Sequence, residues 1–254
     1  MDISTGSGAT EMPNVSTGLD VRGTPSDLND GRPPPHLAKY YYQRHRLFHK
    51  FDEGIELDEE SWYSVTPEKI AQHIADRFAG RQVVLDLFSG AGGNAIQFAL
   101  AGAFVIGVEI SKEKISFARN NADVYGVAQY IDFVQADVYE FVPVLVNSSP
   151  LVNGIFLSPP WGGPDYTSEE IFNVSIYSEI VRLAKEVCED VGILLPKTVD
   201  LENVKEHFGQ CELEHNYLGD KLKTVTVYFG ALVCKPQAGC DPNLGDMSDW
   251  LTES

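Results

Sequence analysis

The stretch that decides the fold is VVLDLFSGAGGNAI, residues 83–96. Its apolar start predicts a buried strand, its glycines predict a tight turn, and the run NAIQFALAG at 94–102 predicts a short helix. A strand, a glycine-rich turn and a helix in this order form the first part of a unit that builds parallel sheets. The rest of the chain shows whether that unit repeats.

The alternation of strand and helix does repeat. Further apolar runs predict strands at 103–110, 130–137, 152–158 and 191–196, and the segments between them predict helices at 111–126, 168–190 and 200–209. Two last strands, 211–218 and 223–233, have no helix between them and are joined by GDKLK, which predicts a hairpin. We therefore expect an α/β, Rossmann-like fold whose seven-stranded sheet is mostly parallel with an antiparallel last strand.

Composition divides the chain into four parts. Residues 1–33 and 235–254 are polar and lack periodicity, so we expect a disordered tail at the start and a flexible tail at the end. Residues 34–80 are expected to form a helical N-terminal extension, and 81–234 the sheet domain. The extension contains a well-marked helix, with Thr66 as its predicted N-cap and Pro67 at the first position.

Charge and cysteine content restrict the function. The 254-residue chain carries a net charge of −18, which argues against broad, non-specific binding of nucleic acid. Its four cysteines show no C-x-x-C spacing, so we expect reduced thiols and no metal site. No apolar run approaches a membrane span, and the N-terminus lacks the pattern of a secretory signal. Cations gather in one place: residues 31–50 contain five Lys and Arg and no acid.

Polar residues follow the first three predicted strands. Asp86 lies at the end of the first, Gly90 and Gly92 form the turn behind it, Glu109 ends the second strand, and Asp137 follows the third. Carboxyl ends of parallel strands meet at one edge of the sheet, where open α/β folds bind ligands. The spacing is not the G-x-G-x-x-G of pyrophosphate-binding turns. A strand-end carboxylate suits a ligand with an ammonium group, and S-adenosylmethionine fits that description. The alternative is a nucleotide- or NAD-binding domain with ordinary loop acids.

The fourth strand ends in FLSPPWGGPDY, residues 156–166. Ser158-Pro159-Pro160-Trp161 has the form of the Asp/Asn/Ser-Pro-Pro-aromatic signature of amino-group methyltransferases. The Ser158 hydroxyl and the Pro159 carbonyl can orient an exocyclic amine, prolines keep the loop rigid, and the indole offers a face on which a base stacks. We therefore predict Ser158, Pro159 and Trp161 as the catalytic set. The structural alternative is a Pro-Pro turn with a packed tryptophan.

Several segments together resemble one family. They are KYYYQRHRLFHKFDEGIELDEESWYSVTPEKIAQHIA, DLFSGAGGNAIQFALAG, KISFARNNADVYGVA, FLSPPWGGPDY and KLKTVTVYFG. The sheet with its terminal hairpin resembles class I methyltransferases, and these segments resemble the trimethylguanosine synthase family of RNA cap guanine-N2 methyltransferases. The resemblance covers about residues 37–233. It implies transfer of a methyl group from S-adenosylmethionine to a 7-methylguanosine cap.

The resemblance also implies site residues. Trp161 would stack on the 7-methylguanine ring, with Ser158 and Asn121 near its pairing edge. To the strand-end residues, the implied cofactor set adds Phe48, Ser64, Thr66, Pro67, Asn94 and Ser158. The implied substrate set adds Lys39, Tyr166, Lys197 and Lys223, with the basic extension acting as a lid and phosphate clamp. The resemblance implies arginine at position 197, where this chain has lysine. An arginine can bind a phosphate with two parallel hydrogen bonds, whereas a lysine acts as a single compact charge.

Two other functions remain open from the sequence. One is an amino-group methyltransferase acting on an internal guanine or adenine of RNA or DNA. The other is a cap-binding module without activity. The family resemblance implies small nuclear, small nucleolar or similar capped RNA as the partner, and a nuclear location that includes the nucleolus or the Cajal body. It implies neither a membrane nor a metal, and the sequence identifies no protein partner.

Overall fold

The computed structural model describes residues 34–148, 151–162 and 171–234. The two predicted tails, 1–33 and 235–254, and the predicted substrate residue Tyr166 lie outside the described residues.

A seven-stranded sheet forms the centre of the described chain. The strands are β1 (Val83–Leu87), β2 (Phe104–Glu109), β3 (Ile131–Gln135), β4 (Gly154–Leu157), β5 (Val191–Pro196), β6 (Glu212–Leu218) and β7 (Lys221–Tyr228), in the spatial order β3-β2-β1-β4-β5-β7-β6. Strands β1 to β5 pair in parallel, and β7 pairs antiparallel with both β5 and β6. The predicted fold class is confirmed.

The order of the strands fixes where a ligand can bind. Strand β1 has β2 on one side and β4 on the other. The chain adds β2 and β3 on one side of β1 and then crosses to the other side to add β4 and β5, so the strand order reverses between β1 and β4. Open parallel sheets hold ligands at such a switch point, outside the carboxyl ends of the strands. The glycine-rich turn follows β1 and the Ser-Pro-Pro-Trp loop follows β4. Both therefore lie at the same crevice.

Nine α-helices accompany the sheet in the part of the chain that is described. They are α1 (Ala38–Tyr41), α2 (Arg44–Leu47), α3 (Ser61–Ser64), α4 (Glu68–Arg77), α5 (Gly93–Leu100), α6 (Lys112–Tyr125), α7 (Val138–Val146), α8 (Ser178–Val187) and α9 (Leu201–Phe208). None of these described helices is long and apolar enough to cross a membrane.

The N-terminal extension differs from the prediction. The basic stretch forms two four-residue helices, α1 and α2, with a break at Tyr42, where a single helix was expected. The break lets Leu47 and Phe48 enter the core while Tyr42 stays 71% exposed. The N-cap of α4 is Pro67 and makes no side-chain hydrogen bond, so the prediction of Thr66 as the cap was wrong by one residue.

Two further elements differ from the prediction. Helix α7 was not predicted, because its apolar run contains Pro143 and lacks a clear period; Asp137 caps it by accepting from the Tyr139 amide at 2.8 Å. Helix α8 begins at Ser178, after a 3₁₀ turn at Val174–Tyr177, although helix was predicted from residue 168. Residues 163–170 lie outside the described chain, so that part of the prediction is not tested.

The core lies on both faces of the sheet. One cluster joins the extension to the sheet and to α5 and α6, through fully buried side chains such as Phe48, Ile55 and Phe98. The other cluster lies under α7, α8 and α9. The extension therefore shares a core with the sheet domain, which places it beside the carboxyl ends of β1 and β4.

Candidate active site

A cavity of about 660 Å³ opens at the carboxyl ends of β1, β2, β4 and β5. Its volume lies in the range of pockets that enclose small ligands. Four groups of residues line it: part of the extension, the glycine-rich turn, the end of β2 with the start of α6, and the Ser-Pro-Pro-Trp loop. The residues on which the interpretation depends are Ser64, Thr66, Phe88, Gly90, Asn94, Glu109, Ser111, Lys114, Ser158, Pro159 and Trp161.

The glycine-rich turn is shaped by backbone geometry. Gly90 has a φ of +55°, and a Cβ added there would meet no atom closer than 4.0 Å, so the turn leaves open space beside the cavity. Gly92 has a φ of +86° and a different role, because an added Cβ would lie 3.1 Å from the Cβ of Ala118. Gly92 therefore lets the turn pack on α6, whereas Gly90 faces the cavity.

Phe88 begins this turn in a left-handed conformation, with a φ of +62°, which is uncommon for a residue other than glycine. Such strain is retained where the surrounding structure requires it. Here it accompanies a carbonyl that accepts a hydrogen bond from the Ser158 hydroxyl at 3.2 Å. Phe88 thus connects the turn after β1 with the loop after β4.

Glu109 lies where a cofactor ribose was predicted. Its carboxylate is 8% exposed and accepts from the Gly90 amide at 3.0 Å and from the Ser111 amide at 2.9 Å. Two carboxylate oxygens offer about four acceptor sites, so two sites remain for hydroxyl groups of a ligand in the cavity. Together with the open side of Gly90, this arrangement fits the ribose of S-adenosylmethionine.

Asp86 lies elsewhere than expected. It was predicted to face the cofactor as a carboxylate, but it is fully buried inside the sheet and is not part of the cavity lining. Burial raises the pKa of its carboxyl to about 8; the Ala95 amide opposes this shift in part, and Glu109 adds to it. Asp86 is not among the residues that line the cavity, and its contact with the cofactor therefore stays a prediction.

Asn121 is buried and does not line the cavity, so its contact with the base stays a prediction. The resemblance implied contact with the base, but the side chain is fully buried. Its Nδ2 donates to the carbonyls of Glu56 and Ala91, both at 3.0 Å, and its Oδ1 accepts from the Glu56 amide at 2.8 Å. Both amide protons are thus used, and Asn121 ties the extension and the turn to α6.

The other expected cofactor residues separate into two groups. Ser64, Thr66 and Asn94 line the cavity. Phe48 is 1% exposed and packs edge-on against Tyr125, so it belongs to the core behind the cavity. Pro67 and Asp137 lie outside the lining, and Asp137 uses one carboxylate oxygen to cap α7. Their contact with a cofactor stays a prediction.

A polar hub holds the extension in place. Glu68, at the start of α4, accepts from the His49 amide at 2.5 Å and contacts the His49 ring nitrogen Nδ1 at 2.6 Å. It also accepts from the Tyr125 hydroxyl at 3.1 Å and the Gln97 amide at 3.2 Å. One carboxylate thereby joins the extension to α5 and α6, which fixes the wall of the cavity that Ser64 and Thr66 form.

The Ser-Pro-Pro-Trp loop is tied to the first turn through Ser158. The Ser158 amide donates to the Leu87 carbonyl at 3.1 Å, and its hydroxyl lies 3.2 Å from the Phe88 carbonyl and 3.4 Å from Asn94 Nδ2. The carbonyl can only accept, so it takes the hydroxyl proton. The remaining lone pair of Ser158 Oγ is then available only as an acceptor.

Trp161 follows at the mouth of the cavity. It is half-buried, lines the cavity and packs on the core cluster that includes Leu194. Gly162, next in the chain, has a φ of +93°, and an added Cβ would meet nothing within 4 Å. The structure thus brings Trp161 and Ser158 to one opening, as the sequence predicted.

Cations collect beside this opening. Burial lowers the pKa of Lys223, and four positive charges lower it further: Lys221, Arg46, Lys39 and Lys197. The strand register agrees, because Pro196 of β5 pairs with Thr224 of β7. Lys197 directly follows Pro196 in the chain, and Lys223 directly precedes Thr224. The predicted substrate residues Lys39, Lys197 and Lys223 therefore lie in one cation cluster, defined here with Arg46 and Lys221.

The other cations of the basic stretch have local partners. Arg44 donates to both carboxylate oxygens of Asp52, at 2.8 and 3.1 Å, and Lys50 lies 3.4 Å from Glu53. Arg46 and Lys221 had not been predicted as site residues, because the register that brings the hairpin to the extension is not visible in the sequence. Among the described residues, no group of His, Cys, Asp and Glu could hold a metal ion.

Sequence comparison adds the family to this geometry. A family model described as RNA cap guanine-N2 methyltransferase matches residues 81–232. The chain belongs to this family. The resemblance inferred from the sequence motifs is therefore confirmed, and S-adenosylmethionine is the methyl donor. Capped RNA is the substrate class that the family implies.

Two relatives carry the name trimethylguanosine synthase. The protein of Schizosaccharomyces pombe is 37% identical over 180 residues, which cover 67% of this chain and 75% of that protein. The protein of Saccharomyces cerevisiae is 34% identical over 179 residues, covering 66% of this chain and 57% of its own length.

Solved structures share the fold. A putative methyltransferase from Porphyromonas gingivalis W83 superposes with a TM-score of 0.59 at 15% identity, over 77% of this chain and 48% of that one. A SAM-dependent methyltransferase from Agrobacterium tumefaciens superposes with a TM-score of 0.51 at 17% identity, over 65% of this chain and 63% of that one. At these identities the likeness concerns the fold alone.

Proposed function

We propose that this chain transfers a methyl group from S-adenosylmethionine to the exocyclic N2 of a 7-methylguanosine RNA cap. The product is a 2,7-dimethylguanosine cap, a 2,2,7-trimethylguanosine cap, or both. The observation that carries the proposal is the placement of the Trp161 indole beside Ser158 at the mouth of a cavity whose far side fits the donor.

Ser158 and Pro159 orient the amine. The exocyclic amine of guanine is a poor nucleophile, because its lone pair is delocalised into the ring. The Ser158 hydroxyl donates to Phe88 and can only accept on its cavity side, so it favours an N–H of the substrate. Pro159 lines the same cavity, and its carbonyl is the proposed second acceptor. Acceptors on these hydrogens also stabilise the positive charge that the nitrogen gains.

Rigid positioning then accounts for most of the rate. When bound, S-adenosylmethionine supplies an electrophilic methyl group on its sulfonium. The two prolines and the hydrogen bonds of Ser158 keep the acceptors fixed before the substrate arrives. No strong base is required, since the proton can leave to water after transfer.

Trp161 selects the base. A 7-methylguanine ring is cationic, and an indole face attracts a cation by about 1–2 kcal/mol in a site shielded from water. Trp161 is half-buried, lines the cavity and packs on the core, a position that supports stacking of the base on the indole. An unmethylated guanine lacks the charge and gains less.

The cation cluster holds the cap phosphates. Lys39, Lys197 and Lys223 provide positive charge in a protein whose net charge is −18, and Arg46 and Lys221 add to it. Lys39 and Arg46 come from residues 34–80, which supports the role of this extension as a lid and phosphate clamp. Tyr166 remains part of the proposed substrate set, and Phe48, Pro67 and Asp137 of the proposed cofactor set.

The RNA partner is a small nuclear, small nucleolar or similar capped RNA, and the enzyme works in the nucleus, including its nucleolus or Cajal bodies. The two relatives named trimethylguanosine synthase support this assignment.

Mass spectrometry of a cap analogue tests the function. The chain is incubated with 7-methylguanosine triphosphate and S-adenosylmethionine, and the analogue is expected to gain the mass of one or two methyl groups. Trp161→Ala is expected to lose most activity while it keeps its fold and its affinity for S-adenosylhomocysteine. A chain that binds S-adenosylhomocysteine but yields no N2-methylated product would contradict the proposal.

Two substrates serve as controls for the alternatives. Uncapped RNA or DNA that accepts methyl better than the analogue would indicate an enzyme acting on internal bases. Cap affinity that depends on neither cofactor nor turnover would indicate a binding module without activity. Guanosine triphosphate without the 7-methyl group separates stacking on a cationic ring from recognition of guanine in general.

A further inference from the structure

Tyr177 has no part in the site as described so far. It ends the 3₁₀ turn before α8, and its ring stacks on Phe172 with centroids 6.1 Å apart and planes 26° from parallel. The side chain is buried, with 5% exposure. Its hydroxyl donates to the carbonyl oxygen of Pro160, inside the Ser-Pro-Pro-Trp loop.

The position of this hydrogen bond is significant because Pro160 immediately precedes Trp161. The Pro160 carbonyl belongs to the peptide group from which the tryptophan projects, so fixing its oxygen fixes the plane of that peptide. The two prolines have no amide hydrogens to hold the loop themselves. The loop therefore depends on anchors from other elements.

The known anchors lie at one end of the loop. Ser158 is held at its amide by Leu87 and at its hydroxyl by Phe88. At the other end, Gly162 has a φ of +93° and its Cα has open space around it. Tyr177 adds a hydrogen bond at the peptide group directly before Trp161, two residues beyond Ser158.

We propose that Tyr177 is a positioning residue that sets the orientation of Trp161 relative to Ser158 by holding the Pro160 carbonyl. This inference rests on the proposed function for its catalytic consequence. Loss of the hydroxyl would let the indole occupy several orientations, so a stacked base would present its amine less often to Ser158 and to the donor. Burial, with a smaller contribution from Tyr139, raises the pKa of the Tyr177 hydroxyl to about 12, so it remains a donor at neutral pH.

Tyr177→Phe removes the hydroxyl and keeps the ring. Tyr228→Phe is the matched control, since Tyr228 is also buried and lies under Arg77, where its hydroxyl neighbours Glu214, away from the cavity. We expect Tyr177→Phe to lower kcat/KM for the cap analogue about 10-fold, the effect of one lost hydrogen bond to a reactive geometry. Affinity for S-adenosylhomocysteine should be unchanged in both variants.

A second measurement reports on Trp161 itself. Protein labelled with 5-fluorotryptophan gives ¹⁹F signals for Trp62, Trp161 and Trp250, and Trp161→Phe identifies the signal of interest. Tyr177→Phe should shift or broaden the Trp161 signal and leave that of Trp62 in place, whereas Tyr228→Phe should leave both. A purely structural role would not move the Trp161 signal selectively.

The two readouts separate the two claims. If wild type fails to methylate the cap analogue, the proposed function fails, and the ¹⁹F signals still decide whether Tyr177 orients Trp161. If wild type is active and the two variants match each other in kcat/KM and in the Trp161 signal, the positioning role is overturned.

Discussion

The turn after β1 and the loop after β4 face the same cavity but are built in opposite ways. The first is rich in glycine, and its shape comes from two glycines with positive φ, of which Gly90 faces the cavity and Gly92 packs on α6. The second is stiff in composition, and its position comes from side chains of other elements, Phe88 and Tyr177 among them. The proposed cofactor side of the cavity combines this turn with the Glu109 carboxylate, whereas the proposed base site presents the indole of Trp161.

The two regions are also joined. The Phe88 carbonyl of the turn accepts from the Ser158 hydroxyl of the loop. The oxygen of that hydroxyl, Ser158 Oγ, is also contacted by Asn94 Nδ2 at the start of α5. In the proposed function, one connected set of hydrogen bonds would position both the methyl donor and the substrate amine. Substitutions that act on one region alone show how far the two regions are independent.

The largest effect is expected at the turn. Gly92→Ala places a Cβ 3.1 Å from the Cβ of Ala118 at a φ of +86°. We expect a loss of about 2–5 kcal/mol in the free energy of unfolding, from left-handed strain and overpacking together, and weaker binding of S-adenosylhomocysteine. Thermal denaturation and calorimetry measure both.

Gly126→Ala is the control for this substitution. Gly126 has a φ of +71°, but an added Cβ meets nothing within 4 Å, so only the strain of about 1–2 kcal/mol should appear. Equal losses in the two variants would mean that packing of the turn on α6 is unimportant.

The loop should respond in activity and leave stability almost unchanged. Ser158→Ala removes the acceptor proposed to orient the amine, and we expect kcat to fall about 100-fold, as for the loss of one preorganised polar group. Ser148→Ala removes an exposed hydroxyl that bonds to the Leu145 carbonyl and should leave kcat unchanged. Steady-state kinetics with the cap analogue decide this; a Ser158→Ala enzyme with normal kcat would remove Ser158 from the mechanism.

The buried carboxyl of Asp86 should make the free energy of unfolding depend on pH. Its pKa in the folded protein is raised to about 8, so the contribution of its neutral form is complete below the ordinary pKa and is lost as pH rises through 8. Asp86→Asn keeps the neutral form at all pH values. The free energy of unfolding of Asp86→Asn relative to wild type should therefore rise between the ordinary pKa of the carboxyl and pH 8. At pH 8 the rise should be at least about 1 kcal/mol, since one pKa unit is about 1.4 kcal/mol.

Thermal denaturation between about pH 5 and 9, a range that includes the raised pKa of about 8, measures this difference. Asp132→Asn, an exposed carboxylate on β3, is the control and should show a constant difference from wild type. A constant difference for Asp86→Asn as well would mean that Asp86 is ionised in the fold.

The smallest effect is expected at the cation cluster, because several positive charges together are proposed to bind the cap phosphates. Lys223→Gln should raise KM for the triphosphate analogue about 3- to 10-fold at low salt, and less at high salt, where screening weakens each charge. Lys69→Gln, an exposed lysine of α4 outside the cluster, should leave KM unchanged. A change in KM that salt does not reduce would assign Lys223 a role other than charge.

Local signals predicted the strands and most helices because those elements depend on nearby residues. The helix predicted at 111–126 corresponds to α6, which the structure shows capped by Ser111 and Gly126. The break between α1 and α2 was not predictable in this way, since it is caused by the core that Leu47 and Phe48 enter. Asn121 and Asp86 were predicted to contact ligands because polar residues near a crevice resemble ligand contacts; the fold buries both side chains, and their contact with a ligand stays a prediction.

By itself, the sequence determined the order of strands and helices, the glycine-rich turn, the Ser-Pro-Pro-Trp motif and the family, because each is encoded in neighbouring residues. Only the tertiary structure decided which polar groups reach the cavity. It buried Asp86 and Asn121, joined Phe88 to Ser158, brought Tyr177 to Pro160 and gathered cations from the extension, β5 and β7. The physical reason is that hydrogen bonds and charges act between groups that are close in space, and the sheet brings together residues far apart in the chain.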